Sequence, residues 1–245
     1  MDFKRVLALV KMELLKALRE PAFLFLILLL PALLTIMFGF IFGDPESGMS
    51  MNTIAPGLFV YACIFIIMTV AQAFSEMRDQ ELLRRLNTTP MTSADFIASE
   101  IFSNMVIVIL QIIIIYILAI PFGFTPNTNA VGMILAFVLI IVFSLSSVGL
   151  GLIIATISKS SGTATGLSFL LILPQMFLGT FIPVTATTEP ISMFMPSYYV
   201  TKALSAIFSG DLTDPWVLTG FTLISIVSLI IITIGVFLFK KLSNK

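Results

Sequence analysis

Apolar positions gather into six long uncharged runs, at about 22–43, 54–74, 101–122, 130–157, 164–183 and 216–239. A helix needs about 20 apolar residues to cross the hydrocarbon of a bilayer. The pattern therefore predicts an all-α integral membrane protein in which residues 1–245 form one domain with six transmembrane helices. Ahead of the first run, Phe3, Val6, Leu7, Val10, Leu14 and Leu18 keep helical spacing while Lys4, Arg5, Lys11, Lys16 and Arg19 fill the positions between. That alternation predicts an amphipathic interfacial helix over 2–20. A signal peptide is disfavoured, because charge continues to Arg19 and Glu20 and the next run is too long for a signal core. Pro21 stands where a new helix would begin.

An even number of spans puts both termini on one side of the membrane. With the N-terminal segment, 75–100, 158–163 and the C-terminus on that side, 12 of the 13 basic residues fall there and only Lys202 lies opposite. The positive-inside rule makes that side cytoplasmic. The outer connections are then short at 44–53 and 123–129 and long at 184–215. This last loop is too apolar to be a plain linker. A helix from Tyr198 to Phe208 with Gly210 as its stop predicts a re-entrant or outer helical hairpin before the last span.

The charged stretch 75–100, SEMRDQELLRRLNTTPMTSADFIASE, holds eight of the 26 charged residues. Glu81 precedes Arg85 by four positions, the favourable order for a helical ion pair. Leu82, Leu83 and Leu86 form an apolar patch on that helix beside Arg84. Thr89-Pro90 ends it, because proline lacks a donor and biases its predecessor away from helical geometry. Thr92 and Asp95 are spaced as a capping box that restarts a helix. A helix, a break and a second helix thus project from the membrane with a leucine patch in need of a partner.

Composition narrows the chemistry. The chain is 58% hydrophobic and 11% charged, with no His and one Cys, Cys63, inside an apolar run. Disulfides, Cys/His zinc sites and His-dependent triads are excluded, and Cys63 reads as a small buried hydrophobe. No charged residue lies within a span, which disfavours ion- or proton-driven carriers. No G-x-x-x-x-G-K-[ST] occurs, so ATP is not bound here through a P-loop. Pro31 and Pro174 should kink the first and fifth spans. Ser147, Gly151 and Ala155, and likewise Gly162 and Gly166, permit close helix packing. Asn104 and Gln111, seven apart, are expected to hydrogen-bond across helices.

The stretch EMRDQELLRRLNTTPMTSADFIASE resembles the loop after the second span in type-2 ATP-binding-cassette (ABC) exporter permeases, with Glu81, Leu82, Arg85, Leu86, Thr89, Pro90 and Phe96 carrying the match. GLGLIIATISKSSGTATGLSFLLILPQMFLGTFIP is similar to the family's fourth-to-fifth span region, and MPSYYVTKALSAIFSGD to its Pro-x-x-Tyr and following helix. Gln80 and Ser99-Glu100 replace residues that are often Gly and Gly-Lys in the family. The resemblance implies a multi-pass cell-membrane permease with both termini cytoplasmic, paired with a second copy or a related chain. A separate P-loop ABC ATPase would bind ATP and Mg²⁺, so this chain would carry no cofactor and no catalytic residue. Residues 81–90 would be the coupling helix. A substrate cavity is expected around Phe65, Met68 and Thr69 of the second span and Met176, Phe177 and Thr180 of the fifth.

The cargo implied by Phe, Met, Leu and Thr linings is apolar or amphipathic, drug-like or lipid-linked. The competing readings are a passive or ion-coupled carrier and a non-transporting membrane component; nucleic acid has no place in any of them. The topology predicts that single cysteines at Ser47 and Thr187, in a Cys63→Ala background, react with an impermeant thiol reagent on intact cells. Those at Ser93 and Asn244 should not, and outside labelling at position 244 contradicts six spans.

Overall fold

The computed structural model describes residues 3–19, 21–42, 50–79, 93–181, 185 and 187–243. Every regular element among them is helical. In order they are α1 (Phe3–Arg19), α2 (Pro21–Phe42), α3 (Met51–Ile64), α4 (Ile66–Asp79), α5 (Ser93–Ala119), α6 (Ala130–Ile157), α7 (Ser161–Met176), α8 (Glu189–Ser192), α9 (Pro196–Ser209) and α10 (Pro215–Ser243). One 3-10 turn, Ile120–Phe122, follows α5, and one π-helical turn, Phe177–Phe181, follows α7. Five stretches are long and apolar enough to cross a membrane: Met51–Met77, Ile97–Phe122, Ala130–Ile157, Ser161–Phe181 and Pro215–Leu238. With 22 residues, α2 is about 33 Å long at the α-helical rise and fits as the sixth. The protein is an all-α membrane protein.

The second run comprises two helices, because the chain turns at Phe65 between α3 and α4. The backbone bonds there stretch, Phe65 N–H to the Tyr61 carbonyl at 3.4 Å and Thr69 N–H to the Phe65 carbonyl at 3.4 Å. Meanwhile the Thr69 hydroxyl donates to the Ile66 carbonyl at 3.0 Å, a local competitor of the kind that bends helices. This broken span is the centre of the bundle: 78% of its apolar window is buried, against 17% for α10. Around it pack α2, α5, α6, α7 and α9.

Close packing rests on glycine where the sequence placed it in the fourth span. A Cβ at Gly151 would fall 2.7 Å from Val70 Cβ and 2.9 Å from the Ile67 carbonyl oxygen, and one at Gly149 2.9 Å from the Ile232 backbone. Thus α6 meets α4 on one face and α10 on the other. Gly166 differs: no atom of another helix lies within 4 Å of its would-be Cβ, and Gly162 meets only Ser160 at 4.0 Å. The close contact expected at those two positions is not made among the described residues.

At one end of the bundle the connections interlock. Asn52 Oδ1 accepts from Thr125 N–H at 2.9 Å, and Asn127 N–H donates to the Phe208 carbonyl at 2.8 Å. The rings of Phe59, Phe124 and Phe208 pack at 5.9, 5.6 and 5.4 Å between centroids. Val200, Leu204 and Ile207 are fully buried, so α9 is a packed part of the bundle and not a solvated loop. It stops at Gly210, whose φ of 90° is the left-handed cap expected there. At the opposite end Ser161 Oγ donates to Glu76 Oε1 at 3.4 Å. Gln72 Nε2 donates to Thr165 Oγ1 at 2.6 Å, tying α4 to α7. The segments assigned to the outer side therefore meet one another, as do two of those assigned to the inner side.

Gly151→Ala should destabilise the purified protein by about 1–3 kcal/mol, the usual cost of overpacking. Gly166→Ala meets open space and gains up to about 1 kcal/mol of helix propensity. Thermal unfolding in detergent checks this; equal effects of the two substitutions would contradict the packing described.

Candidate functional site

Residues 81–90, with Glu81, Leu82, Leu83, Arg84, Arg85, Leu86, Thr89 and Pro90, lie outside the described residues. Their two flanks are described. The helix of α4 continues past the apolar run to Asp79, and α5 begins at Ser93, directly after the anticipated cap at Thr92. Asp95, three residues after Thr92, is fully buried.

Beside these flanks lies a cavity of about 230 Å³ enclosed by α1, α2, α5 and the α3–α4 break. Phe65, Met68 and Thr69 form part of its wall. Its upper part depends on Pro31. Proline has no N–H, so the carbonyl four residues earlier, Ile27, loses its helical donor. Gln111 Nε2 from α5 donates to that carbonyl at 3.2 Å. Gln111 thus makes the cross-helix bond expected of it. Asn104 does not: its Nδ2 donates within α5 to the Glu100 carbonyl at 2.9 Å. Thr35 Oγ1 donates to the Pro31 carbonyl at 2.8 Å.

The lower part is charged, which the sequence pattern did not reveal. Val6 and Leu9 are the buried positions of α1. Glu13 and Lys16 continue that stripe at helical spacing and join the cavity wall with Glu76 and Glu100. By contrast Phe3, Leu7 and Leu18, expected on the same apolar face as Val6, are 72%, 60% and 65% exposed. Burial raises the Glu13 carboxyl above its ordinary range, and Lys16 pulls it partly back. Glu100, which stands where the family often has Lys, is 5% exposed. The continuation of Val6 and Leu9 into Glu13 and Lys16 is the signal that could have found this wall.

The fifth-span candidates lie elsewhere. Pro174 breaks the helical bonding of α7, which widens into the π-turn at Phe177–Phe181. Ser197 Oγ from α9 donates to the Gln175 carbonyl at 2.9 Å, and Thr180 Oγ1 donates to the Met176 carbonyl. The turn presses on α3 where a Gly57 Cβ would fall 2.7 Å from the Thr180 carbonyl oxygen. Phe181 packs on Phe38 and Tyr61 at 5.1 and 5.5 Å. Phe177 is 46% exposed and Met176 is half-buried. Within one chain, then, Phe65, Met68 and Thr69 share a cavity whose described lining does not include Met176, Phe177 or Thr180.

The family model described as ABC-2 type transporter matches residues 4–209, from α1 to the end of α9. The chain belongs to the ABC-2 type transporter family. No curated protein matches it. As an ABC-2 protein it is the multi-pass, membrane-spanning permease subunit of an ABC transporter, and the family implies association with an ABC ATPase. The match includes the cavity wall, the π-turn and the segment 81–90 of this permease.

Gln111→Leu should destabilise the permease by about 1–3 kcal/mol, the cost of leaving the Ile27 carbonyl unpaired in a dry interior. Pro31→Ala supplies a backbone donor to that carbonyl, so the double variant should lose less than Gln111→Leu alone. A double-mutant cycle by thermal or denaturant unfolding measures the coupling; strict additivity would contradict the assigned bond.

Proposed function

We propose that this permease exports an apolar or amphipathic solute outward across the cell membrane, driven by ATP hydrolysed on a separate subunit. The observation that carries the reading is the placement of 80–92 between two helix ends. Helix α4 runs beyond its apolar stretch to Asp79 and α5 restarts at Ser93, so any force on the intervening residues acts directly on the central broken span. The leucine patch Leu82, Leu83 and Leu86 is the docking surface for the ATPase, with Glu81, Arg84, Arg85, Thr89 and Pro90 shaping it. ATP and Mg²⁺ belong to that partner, since this chain has no P-loop.

Several features support the rest of the assignment. Glu76 of the charged segment and Ser161 of the 158–163 turn are in contact, consistent with both lying on the cytoplasmic side with the termini. Helix α1 rests on the membrane surface with Phe3, Leu7 and Leu18 toward lipid. The exposed apolar face of α7 and the π-turn after it, with Leu170 and Phe177, suits a second permease copy. In that dimer Met176, Phe177 and Thr180 would complete a cargo path together with the second span.

Leu86→Arg should leave insertion intact and weaken ATPase association by about tenfold or more. It removes an apolar contact and places an unpaired charge in the docking groove, of order 2–5 kcal/mol together. Co-purification of the ATPase with the tagged permease reads this directly. Undiminished recovery with the variant would remove 81–90 from the coupling role.

A further inference from the structure

Hydrogen-bond acceptors line both ends of the cavity beside α1. Among the described residues its wall holds three carboxyl groups, Glu13, Glu76 and Glu100, and one amine, Lys16. Deeper in, Gln111 and Ser103 are each 3% exposed. Gln111 Oε1 and Ser103 Oγ are buried without a hydrogen-bond partner. The orientation of the Gln111 amide is set by the Ile27 carbonyl, which accepts only from its nitrogen; the oxygen is what remains. Asn104 has likewise committed its nitrogen to the Glu100 carbonyl. Orphan buried acceptors of this kind are costly unless something fills them.

Size and shape limit the occupant. From Glu100 to Gln111 the wall climbs eleven residues of α5, about 16 Å at the helical rise. Between these polar ends it is lined by apolar side chains such as Ile27, Leu30 and Ile107. At about 230 Å³ the space falls below the ~300–1,000 Å³ of pockets for drug-sized molecules. A headgroup-sized moiety with a slender apolar stem fits. The preponderance of carboxyl groups among the described lining residues and the unpaired acceptors favour a cation with N–H donors over a carboxylate or sulfonate.

We propose that this cavity binds a protonated primary amine carried on an apolar body, with Glu13 and Glu100 supplying the counter-charge and Ser103 and Gln111 the neutral acceptors. The amine is either the headgroup of an amine-bearing phospholipid or an amphipathic amine solute. As a statement about cargo this rests on the export reading. As a statement about binding it concerns this chain alone, so absent ATP-driven transport would overturn the export reading and leave the site intact.

Tritiated decylamine binding to the purified full-length chain in non-ionic detergent tests the site. The expected result is saturable binding, displaced by unlabelled decylamine and not by decanesulfonate. Glu100→Gln and Ser103→Val should each weaken it about tenfold or more. The second variant changes no charge and, by filling space, decides the matter should the first fail to fold by gel filtration and Trp216 fluorescence. Displacement by dihexanoyl phosphatidylethanolamine but not by the matching phosphatidylcholine assigns the lipid headgroup; displacement by neither assigns the solute. Absence of saturable binding, equal displacement by decanesulfonate, or unchanged affinity in the folded variants overturns the proposal.

Discussion

Backbone polar groups have no water to turn to inside a bilayer, and the bundle is organised around meeting that demand wherever a helix is interrupted. Pro31 frees the Ile27 carbonyl, and Gln111 of α5 caps it. The π-turn after Pro174 is held by Ser197 of α9 on the Gln175 carbonyl. Each repair draws its donor from a different helix, so a local defect becomes a tertiary bond. These bonds set the positions of α2 against α5 and of α7 against α9. Without them the proline kinks would be liabilities.

The same logic places the functional elements. The central span breaks at Phe65, the level at which the cavity's Phe65, Met68 and Thr69 stand. Below the break α4 is tied to α7 through Gln72 and Thr165, and α6 closes on α4 at Gly151. Under the proposed function, a push delivered at the Asp79 end of α4 reaches α6 and α7 through these contacts.

Much of this was legible in the sequence. The six uncharged runs became helical, the second divided between α3 and α4 and the third extended back to Ser93, because periodicity and the absence of charge are enough to specify a membrane helix. Gly210 and the helix before it were readable from cap chemistry. Other features were not. The break at Phe65 comes where the Thr69 hydroxyl bonds the Ile66 carbonyl, with no neighbouring proline or glycine to announce it. Gly162 and Gly166 looked like the packing stripe of the fourth span, yet they face open space; a small-residue pattern does not say whether a neighbour is present. The charged cavity was missed because Glu13 and Lys16 belong to a helix whose buried stripe, starting at Val6 and Leu9, is narrower than its apolar one. Glu100 was missed because its burial depends on where α1 docks.

ATP-dependent uptake into inverted membrane vesicles containing the permease and its cognate ATPase tests the central claim most directly, with a fluorescent amphipathic amine as the transported probe. Export predicts uptake that requires ATP and Mg²⁺, is abolished by a hydrolysis-deficient ATPase, and is lost with Leu86→Arg. Uptake that proceeds equally without ATP, or that follows an imposed ion gradient instead, would contradict the account and make this chain a carrier.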